Sequence, residues 1–531
     1  MKSRKVGVAV MLVVLLGSMG AMSWAADKTP KYGGKIVYGA ASEPETLDAA
    51  AAFDTQAMRF SCMIAETLTR TEENGTIGPA LAEKWEVSKD GLSIVFTLRK
   101  NVKFHDGTPL DADAVIFNYD RQSNKENPYY QYGDWVWYDW MFKPIIKGVS
   151  KVDDYRIKME LHKPFSPLLA HLTISGFGTI VSPTAIKAGK EKFGLAPVGT
   201  GPFKFKEWVR GDHITLVANK DYWRGKPYVE EIIARFIPDN AVRAAALEKG
   251  EIDLITDFGV ETYDQLKKSK NVTVTLGPAL NLSFMSLNTK VKPFDDVRVR
   301  RAVAHAINIE ELVKSLYGPL GEVSSTPIPK ALAWAHNPNV KPHKFDPAYS
   351  KKLLAEAGLP NGFETEILIY SEPRGYNPAG KELAEVMQGY LIPVGIKTKI
   401  KAVPYSEQKV ITKTGQGYEM VCTGWYGDDL DPDGFINSFL NSAGAKPPSV
   451  NNFARYESSE MDKLLEEGQR LVDTGARKKV YFKAQELAYE DVPNIWINSI
   501  KQPYATTKRV QGAKFPATPY SFDFLGRVWV E

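Results

Sequence analysis

Two charged residues, Arg374 and Asp428, are the side chains of this sequence best suited to bind a charged ligand. Each lies in a loop marked by glycine and proline, directly after a segment with a β-strand pattern. A guanidinium binds a carboxylate through two parallel hydrogen bonds, and a carboxylate accepts hydrogen bonds from an ammonium group. The pair therefore predicts a site for a small molecule that carries both charges.

Strand patterns with helical patterns between them position these two loops. The strands are predicted at Glu364–Tyr370, Ile396–Val403 and Tyr418–Thr423, and the helices at Ala379–Leu391 and Ser406–Thr414. Strands joined through helices are normally parallel with right-handed crossovers, so their carboxyl ends lie along one edge of the sheet. Ligands of open α/β sheets bind in the crevice outside that edge. We therefore expect both charged loops to face one crevice.

Other interpretations of these residues remain open from the sequence alone. Arg374 and Asp428 can pair with each other, or remain solvated loop charges. The aromatic neighbours Tyr376, Trp425 and Tyr426 can line a pocket and stack on ligand groups, or they can belong to the core.

Residues 1–25 have the pattern of a removable export signal. Lys2, Arg4 and Lys5 precede an apolar run, Val6–Leu16, and small residues stand before a cleavage position after Ala25. The apolar run is about half the length that a bilayer span needs. We therefore expect a soluble, exported chain after cleavage; a retained membrane anchor is the alternative.

The bulk composition limits the class of protein. The chain of 531 residues is too long for one core and long enough for about three domains. Lys and Arg (67) nearly balance Asp and Glu (63), so nothing indicates a nucleic-acid or anionic-membrane partner. Cys62 and Cys422 lie far apart in sequence. An exported protein permits a disulfide between them, but two separate buried thiols are expected.

The predicted secondary structure changes in type along the chain. Hairpin and strand patterns dominate before about Asn288, an α/β pattern follows, and the end of the chain returns to short strands. Asp111, Asp239 and Asp346 stand at predicted helix starts, where an aspartate side chain accepts a backbone hydrogen bond. The fold class expected is α/β with α+β portions.

Several stretches, in order along nearly the whole chain, carry a family resemblance. They are Ser42–Asp48, Leu81–Gly91, Phe104–Pro109, Pro197–Phe203, Asp296–Arg300 with Ala306–Asn308, and Leu354–Phe363. The chain resembles the periplasmic solute-binding proteins of ABC importers, in particular the peptide/nickel family. That resemblance implies two lobes that close on a hinge, with an extra domain inserted in the first lobe. The division expected is a signal peptide at 1–25, lobe I at 26–65, 190–288 and 500–531, the extra domain at 66–189, and lobe II at 289–499, with crossings near Asn288 and Ser499.

Within that family the chain is most similar to dipeptide-binding proteins. Their carboxylate-binding arginine lies in an Arg-Pro-Tyr-Asn-Pro loop, whose place Arg374–Pro378 takes here. Their amine-binding aspartate follows Gly-Trp-Thr-Gly, and here Gly424–Gly427 precedes Asp428. The chain departs from these motifs at two places: Gly375 replaces a proline, and Asp429-Leu430 replaces an amide and a small residue. These departures change the pocket shape and keep the charged pair.

The resemblance implies a receptor that holds a dipeptide or short peptide by its charged ends and delivers it to an inner-membrane ABC permease. The expected ligand-binding residues are Arg374, Asp428, Tyr376, Gly424, Trp425 and Tyr426. A periplasmic monomer is expected. The alternatives are another cargo (a longer peptide, a nickel complex, an opine or an oligosaccharide), a chemotactic receptor, or a secreted hydrolase.

No catalytic residue, metal or cofactor is expected. The histidines show no metal-ligand spacing. Asp429–Gly434 imitates the start of a calcium loop, but Leu440 stands where a bidentate glutamate is required. Ser406–Lys409 and Lys413–Gly415 imitate motifs of penicillin-recognising enzymes, but they lie too close together in sequence. The aromatic run Trp135–Trp140 has no assigned role.

Overall fold

The computed structural model describes residues 29–531 except 52–53, 73–74, 416, 447–449, 517 and 519. The predicted signal peptide, 1–25, lies outside the described residues. Among the described residues, no helix combines the length and the apolar character that crossing a membrane requires.

The strands in chain order are β1 Lys35–Ala40, β2 Thr69–Thr71, β3 Ile77–Pro79, β4 Ala82–Val87, β5 Ser93–Leu98, β6 Ile146–Asp153, β7 Arg156–Leu161, β8 Phe203–Val209, β9 His213–Ala218, β10 Glu231–Phe236, β11 Leu254–Thr256, β12 Val272–Gly277, β13 Asn281–Leu287, β14 Gly321–Val323, β15 Phe363–Tyr370, β16 Ile396–Val403, β17 Met420–Tyr426, β18 Asn494–Ile500, β19 Gln502–Thr507, β20 Val510–Gln511 and β21 Trp529–Val530.

The α-helices are α1 Thr55–Ile64, α2 Ala112–Ser123, α3 Leu168–His171, α4 Ser175–Gly178, α5 Pro183–Gly189, α6 Asn240–Glu248, α7 Val260–Lys267, α8 Val297–Ala306, α9 Ile309–Tyr317, α10 Pro347–Glu356, α11 Glu382–Leu391, α12 Tyr405–Thr414, α13 Asp433–Leu440, α14 Ser459–Arg470 and α15 Thr474–Asp491. The predicted caps Asp111, Asp239 and Asp346 each accept a backbone N–H at the start of α2, α6 and α10.

The fold has two lobes, each built on its own sheet. The lobe I sheet has the order β12-β19-β11-β1-β10-β9-β8, and the lobe II sheet has the order β14-β18-β13-β17-β15-β16. A third sheet, β4-β5-β7-β6, belongs to a chain segment that lies between α1 and β8. We call this segment, with β2–β7 and α2–α5, the insert.

The lobe II sheet has the parallel pairing that the sequence predicts. β15 pairs in parallel with β16 and with β17, so the carboxyl ends of these strands share one edge. Alternate side chains of β13 point to opposite faces: Met285 and Leu287 pack into one apolar core, and Leu282 and Phe284 into another. Cores on both faces hold the strands, and therefore the loops that leave them, in place.

The strand predicted at Tyr418–Thr423, which is β17, extends further towards its carboxyl end than predicted. It was expected to end at Thr423, but it pairs with antiparallel β13 as far as Tyr426, opposite Asn281. Gly424, Trp425 and Tyr426 are therefore strand residues and not loop residues. The reason is tertiary: β13 supplies backbone partners that the local sequence does not reveal.

The chain passes from one sheet to the other between β12 and β13 and returns between β18 and β19. These passages lie at Gly277–Asn281 and Ile500–Gln502, whereas crossings were expected near Asn288 and Ser499. The Asn281 side chain ties the passages together, because it donates to the Ile500 carbonyl at 2.7 Å and accepts from the Ile500 N–H at 2.8 Å.

The two cysteines are separate free thiols. Cys422 is buried in the core under β17, and Cys62, on α1, donates to the Tyr520 carbonyl and accepts from the Phe522 N–H. Two separate buried thiols were expected; the separation is confirmed, whereas Cys62 is only partly buried.

Candidate functional site

The loop that carries Arg374 is a tight, braced turn at the carboxyl end of β15. The backbone N–H of Arg374 donates to the Asn377 carbonyl at 3.0 Å, and the Asn377 N–H donates back at 2.8 Å. The Asn377 side chain accepts from the Tyr317 hydroxyl at 2.7 Å and donates to the Gly380 carbonyl at 2.9 Å. The loop therefore presents the arginine from a defined backbone position.

The Arg374 guanidinium has aromatic neighbours and no acidic partner among the described residues. It stacks on the Tyr405 ring, with 3.9 Å from Cζ to the ring centroid, and lies 5.8 Å from the Tyr376 ring. Partial burial lowers its pKa, but the phenols of Tyr376 and Tyr405 outweigh burial, and the net pKa is raised. Arg374 is a charged, half-buried donor that is free to take an anion.

Asp428 follows β17 at the same edge of the sheet. Its Oδ1 accepts a hydrogen bond from the Tyr520 hydroxyl at 3.1 Å, and Tyr520 belongs to the terminal segment on lobe I. The pKa of Asp428 is raised to about 7, because burial and the neighbouring Asp429 raise it by more than Tyr520 and His171 lower it. Within the described part of the chain, no cation forms an ion pair with Asp428. The possibility that Arg374 and Asp428 pair with each other is therefore wrong for this structure.

The acidic residues that follow Asp428 are held by partners of their own. Asp429 forms a buried ion pair with His171 of the insert. Asp431 takes two hydrogen bonds from the Arg477 guanidinium, each at 2.8 Å. These contacts fix the loop, and among the residues with described positions they leave Asp428 without an ion-pair partner.

A further contact links the insert with the same loop. The Gln469 amide donates to Asp433 Oδ1 at 3.0 Å, and its carbonyl accepts from Lys163 Nζ at 3.1 Å. The backbone N–H of Ser166 donates to a different acceptor of the same residue, the Gln469 backbone carbonyl, at 2.7 Å. Lobe II and the insert therefore meet beside Asp428.

A cavity of about 210 Å³ lies between the insert and lobe II, with Asp428 in its wall. The other lining residues are Trp140, Met141, Pro144, Ile145, Lys163, Phe165, His171, Trp425, Gly427, Asp429, Asp431, Asp433, Gly434, Phe435, Asn437, Ser438 and Gln469. Its wall combines aromatic and aliphatic side chains with charged ones, namely four aspartates, Lys163 and His171, and apolar walls with polar groups among them are typical of sites for organic ligands. The cavity therefore extends the site from the sheet edge towards the insert.

The aromatic residues singled out from the sequence have different positions. Trp425 lines the cavity, and its ring lies 6.0 Å from the Trp140 ring and 5.8 Å from the Phe439 ring. Tyr426 is half-buried, on the opposite face of β17 and beside the Arg374 loop. Tyr376 is 2 % exposed, so in this conformation it supports the site from behind.

The sequence did not reveal Trp140, His171 and Tyr520 as site residues. Trp140 ends the aromatic run Trp135–Trp140 that had no assigned role; Trp135 and Trp137 are buried in the insert, and Trp140 meets Trp425. The clustering of aromatic residues in Trp135–Trp140 is therefore a feature of the sequence that could have indicated this part of the site. His171 and Tyr520 had none, because each reaches the site from a segment that is far away in sequence.

The described residues contain no group of three or more His, Cys, Asp or Glu side chains arranged to hold a metal ion. In particular, His171 is held by Asp429.

Comparison with known proteins identifies relatives over most of the chain. Residues 76–447 match the model for bacterial extracellular solute-binding proteins, family 5. The heme-binding protein A of Haemophilus influenzae is 34 % identical, over 86 % of this chain and 84 % of that protein. The dipeptide-binding protein of Escherichia coli is 32 % identical over 96 % of each chain. A periplasmic binding protein of Helicobacter pylori, solved with the peptide STSA, is 32 % identical, with a TM-score of 0.77 over 94 % of this chain and 99 % of that one.

Proposed function

Because this chain belongs to family 5 of the bacterial extracellular solute-binding proteins, a class of binding proteins and not of enzymes, we propose that it captures dipeptides or short peptides by their charged ends. Arg374 takes the carboxylate, and Asp428 takes the ammonium group. The observation that carries this proposal is that both groups lie at one sheet edge without an ionic partner among the described residues.

The charge balance of the site supports a ligand with both charges. A half-buried carboxylate that forms no ion pair among the described residues is costly, as the raised pKa of Asp428 indicates. An arriving ammonium group supplies the missing cation, and the ligand carboxylate supplies the missing partner of Arg374. Each charge-assisted hydrogen bond contributes about 1.5–3 kcal/mol. Two such anchors, together with backbone contacts, approach the binding free energy of a site with micromolar affinity, which is about −8 kcal/mol.

Anchors at the backbone ends leave the ligand side chains free to vary, since every short peptide has the same two ends. Trp425, with Trp140 beside it, offers an apolar wall for one ligand side chain, and Tyr426 supports the Arg374 loop from β17. Gly424 leaves space on the surface of β17 for the Tyr376 ring. Tyr376 contributes by packing behind that surface.

Contacts between the lobes at the site support closure of the lobes around a ligand. Tyr520 of lobe I bonds to Asp428 of lobe II, and the insert meets lobe II through His171 and Gln469. A ligand that touches both lobes favours the closed state by its additional affinity for that state. We further propose that the mature protein, cleaved after Ala25, is a periplasmic monomer that delivers its ligand to an inner-membrane ABC permease.

The first test is native mass spectrometry of the mature protein purified from cells, with release and identification of any bound molecule. A set of masses that corresponds to dipeptides supports the proposal. A single unrelated mass, such as haem, a nickel complex or an opine, keeps the receptor class and overturns the cargo.

The second test is calorimetry with free and end-blocked dipeptides. Acetylation of the ligand amine and the substitution Asp428→Ala should each weaken binding by more than about tenfold, with the fold intact by circular dichroism. Equal affinity for free and acetylated ligand would remove Asp428 from the site. Turnover of the peptide during incubation would indicate a hydrolase instead.

A further inference from the structure

Two tyrosines and two glycines interlock between the Arg374 loop and β17. The hydroxyl end of Tyr426 is directed at Gly375, and the ring of Tyr376 lies on Gly424. The two tyrosine rings lie 5.5 Å apart at 60°. We call these four residues the tyrosine–glycine interlock. It joins the loop that carries one proposed anchor to the strand that ends beside the other.

Both glycines are required by what lies against them and not by backbone conformation, since neither has a left-handed φ. A Cβ atom at Gly375 would overlap the Tyr426 hydroxyl and lie 2.9 Å from its Cζ. A Cβ atom at Gly424 would overlap the Tyr376 ring and lie 2.5 Å from the Leu282 carbonyl oxygen. Each tyrosine therefore fills space that only a glycine leaves open.

The four residues of the interlock lie close to the two proposed anchors in sequence, so the interlock can fix the position of one anchor relative to the other. Gly375 directly follows Arg374, and Tyr426 stands two residues before Asp428. The loop side is braced further, since the Asn498 amide donates to the Tyr376 carbonyl at 3.2 Å. Movement of the Arg374 loop along the sheet edge would drive Gly375 away from Tyr426 and open a gap.

Both residues of the contact between Gly375 and Tyr426 differ from the motifs of dipeptide-binding proteins. Gly375 stands where the loop motif has proline, and Tyr426 stands where the strand motif has threonine. A proline at 375 would place its Cβ atom where the Tyr426 hydroxyl lies. The glycine and the tyrosine are therefore a matched pair.

We propose that the tyrosine–glycine interlock sets the spacing between the Arg374 guanidinium and the Asp428 carboxylate, and so restricts the length of peptide that the site accepts. This inference rests on the proposed function. Gly375 and Tyr426 are positioning residues in it: they act on the ligand through the distance between the two anchors. A ligand with one more residue has its charged ends further apart by about 3.3–3.6 Å, and rigid anchors do not follow it.

The test measures the affinity for Ala-Ala and Ala-Ala-Ala by calorimetry in four proteins: wild type, Gly375→Ala, Tyr426→Thr and the double variant. We expect Gly375→Ala to weaken Ala-Ala binding by about tenfold, because a displacement of a positioning group by about 1 Å is costly. The same change should cost less than about twofold when Tyr426 is already threonine, because nothing is left to overlap.

Peptide length is the readout that a merely structural role would not change. In wild type, Ala-Ala should bind more tightly than Ala-Ala-Ala, and Tyr426→Thr should shrink that preference by about tenfold as the loop gains freedom. Gly389→Ala is the matched control, since Gly389 is an exposed residue of α11 in lobe II and a Cβ atom there meets nothing within 4 Å. It should leave both affinities unchanged.

The outcomes separate this inference from the proposed function. Unchanged length preference in Tyr426→Thr, or equal effects of Gly375→Ala in both backgrounds, overturns the inference while wild-type binding of Ala-Ala keeps the function. If wild type binds neither peptide, the proposed cargo fails and the length gauge fails with it. A thermal-unfolding cycle on the same four proteins tests the contact without ligand: additive Tm changes would contradict the matched pair.

Discussion

His171 of the insert and Asp429 of lobe II form a buried ion pair next to the cavity, with side chains 4 % and 3 % exposed. Burial lowers the pKa of His171, but Asp429, with Asp433 and Asp431 behind it, outweighs burial and raises that pKa to about 9. The imidazole is therefore charged at neutral pH in this conformation. The pair ties the insert to the residue that follows Asp428.

Loss of this ion pair should lower stability in a pH-dependent way. His171→Asn leaves Asp429 buried without a cation, and breaking a buried pair costs about 3–5 kcal/mol. Since the pKa of His171 is raised from 6.5 to about 9, its contribution is complete below pH 6.5 and is lost as the pH rises through 9. Denaturant unfolding from pH 6 to pH 9.5 should show the difference from wild type shrinking.

Two further variants control this experiment. His162→Asn changes an exposed histidine of the insert and should have no such pH profile. His171→Asn combined with Asp429→Asn removes both charges and should recover much of the lost stability. A pH-independent difference between wild type and His171→Asn would contradict a charged imidazole.

Dipeptide affinity should depend on the ionisation of Asp428. Its pKa is raised to about 7, and only the carboxylate form pairs with an ammonium group. Protonation therefore competes with the ligand, and the affinity should fall by about tenfold for each pH unit below 6. Calorimetry of Ala-Ala at pH 5, 6 and 7 measures this slope. The weaker binding of Asp428→Asn should show no such slope; if it keeps the wild-type slope, another group titrates.

Arg374→Lys should weaken the binding of free dipeptides by about tenfold, because an ammonium group cannot form the two parallel hydrogen bonds of a guanidinium. The lysine also loses the flat stacking on Tyr405. Dipeptide amides, which lack the carboxylate, should bind wild type and variant equally weakly. Calorimetry with both ligands gives the comparison. A substitution effect of the same size on the amide would place the ligand carboxylate elsewhere.

Asn281→Ala should destabilise the passage between the two lobes. The substitution leaves the Ile500 N–H and carbonyl without their side-chain partner in a buried place. Each buried unsatisfied group costs about 1–3 kcal/mol. Urea unfolding should show the loss, and Asn339→Ala, at an exposed asparagine, serves as the control. Equal midpoints for the two variants would show that Asn281 does not hold the passages together.

Much of lobe II could be predicted from local patterns. The strands that become β15 and β16, their parallel pairing with β17 and the cap at Asp346 follow from side-chain periodicity and from short-range hydrogen bonding. The edge position of Arg374 and Asp428 follows from the same information, because parallel strands joined by helices leave their loops on one side.

The contacts around those two residues could not be predicted in this way. Tyr520 lies 92 residues from Asp428, and His171 lies 258 residues from Asp429. Such pairs leave no periodic trace in the sequence, because they depend on how separate sheets pack and not on the local backbone. The same reason explains β17, which continues to Tyr426 because distant β13 pairs with it.

The sequence by itself determined that a cation and an anion stand at one edge of a parallel sheet, since residue periodicity and chain connectivity are local properties. The tertiary structure decided what those charges meet: neither pairs with the other, Asp428 borders a cavity shared with the insert, and Tyr426 fits against Gly375. These outcomes depend on side-chain packing between segments that are distant in sequence, where a few ångströms decide whether two groups touch.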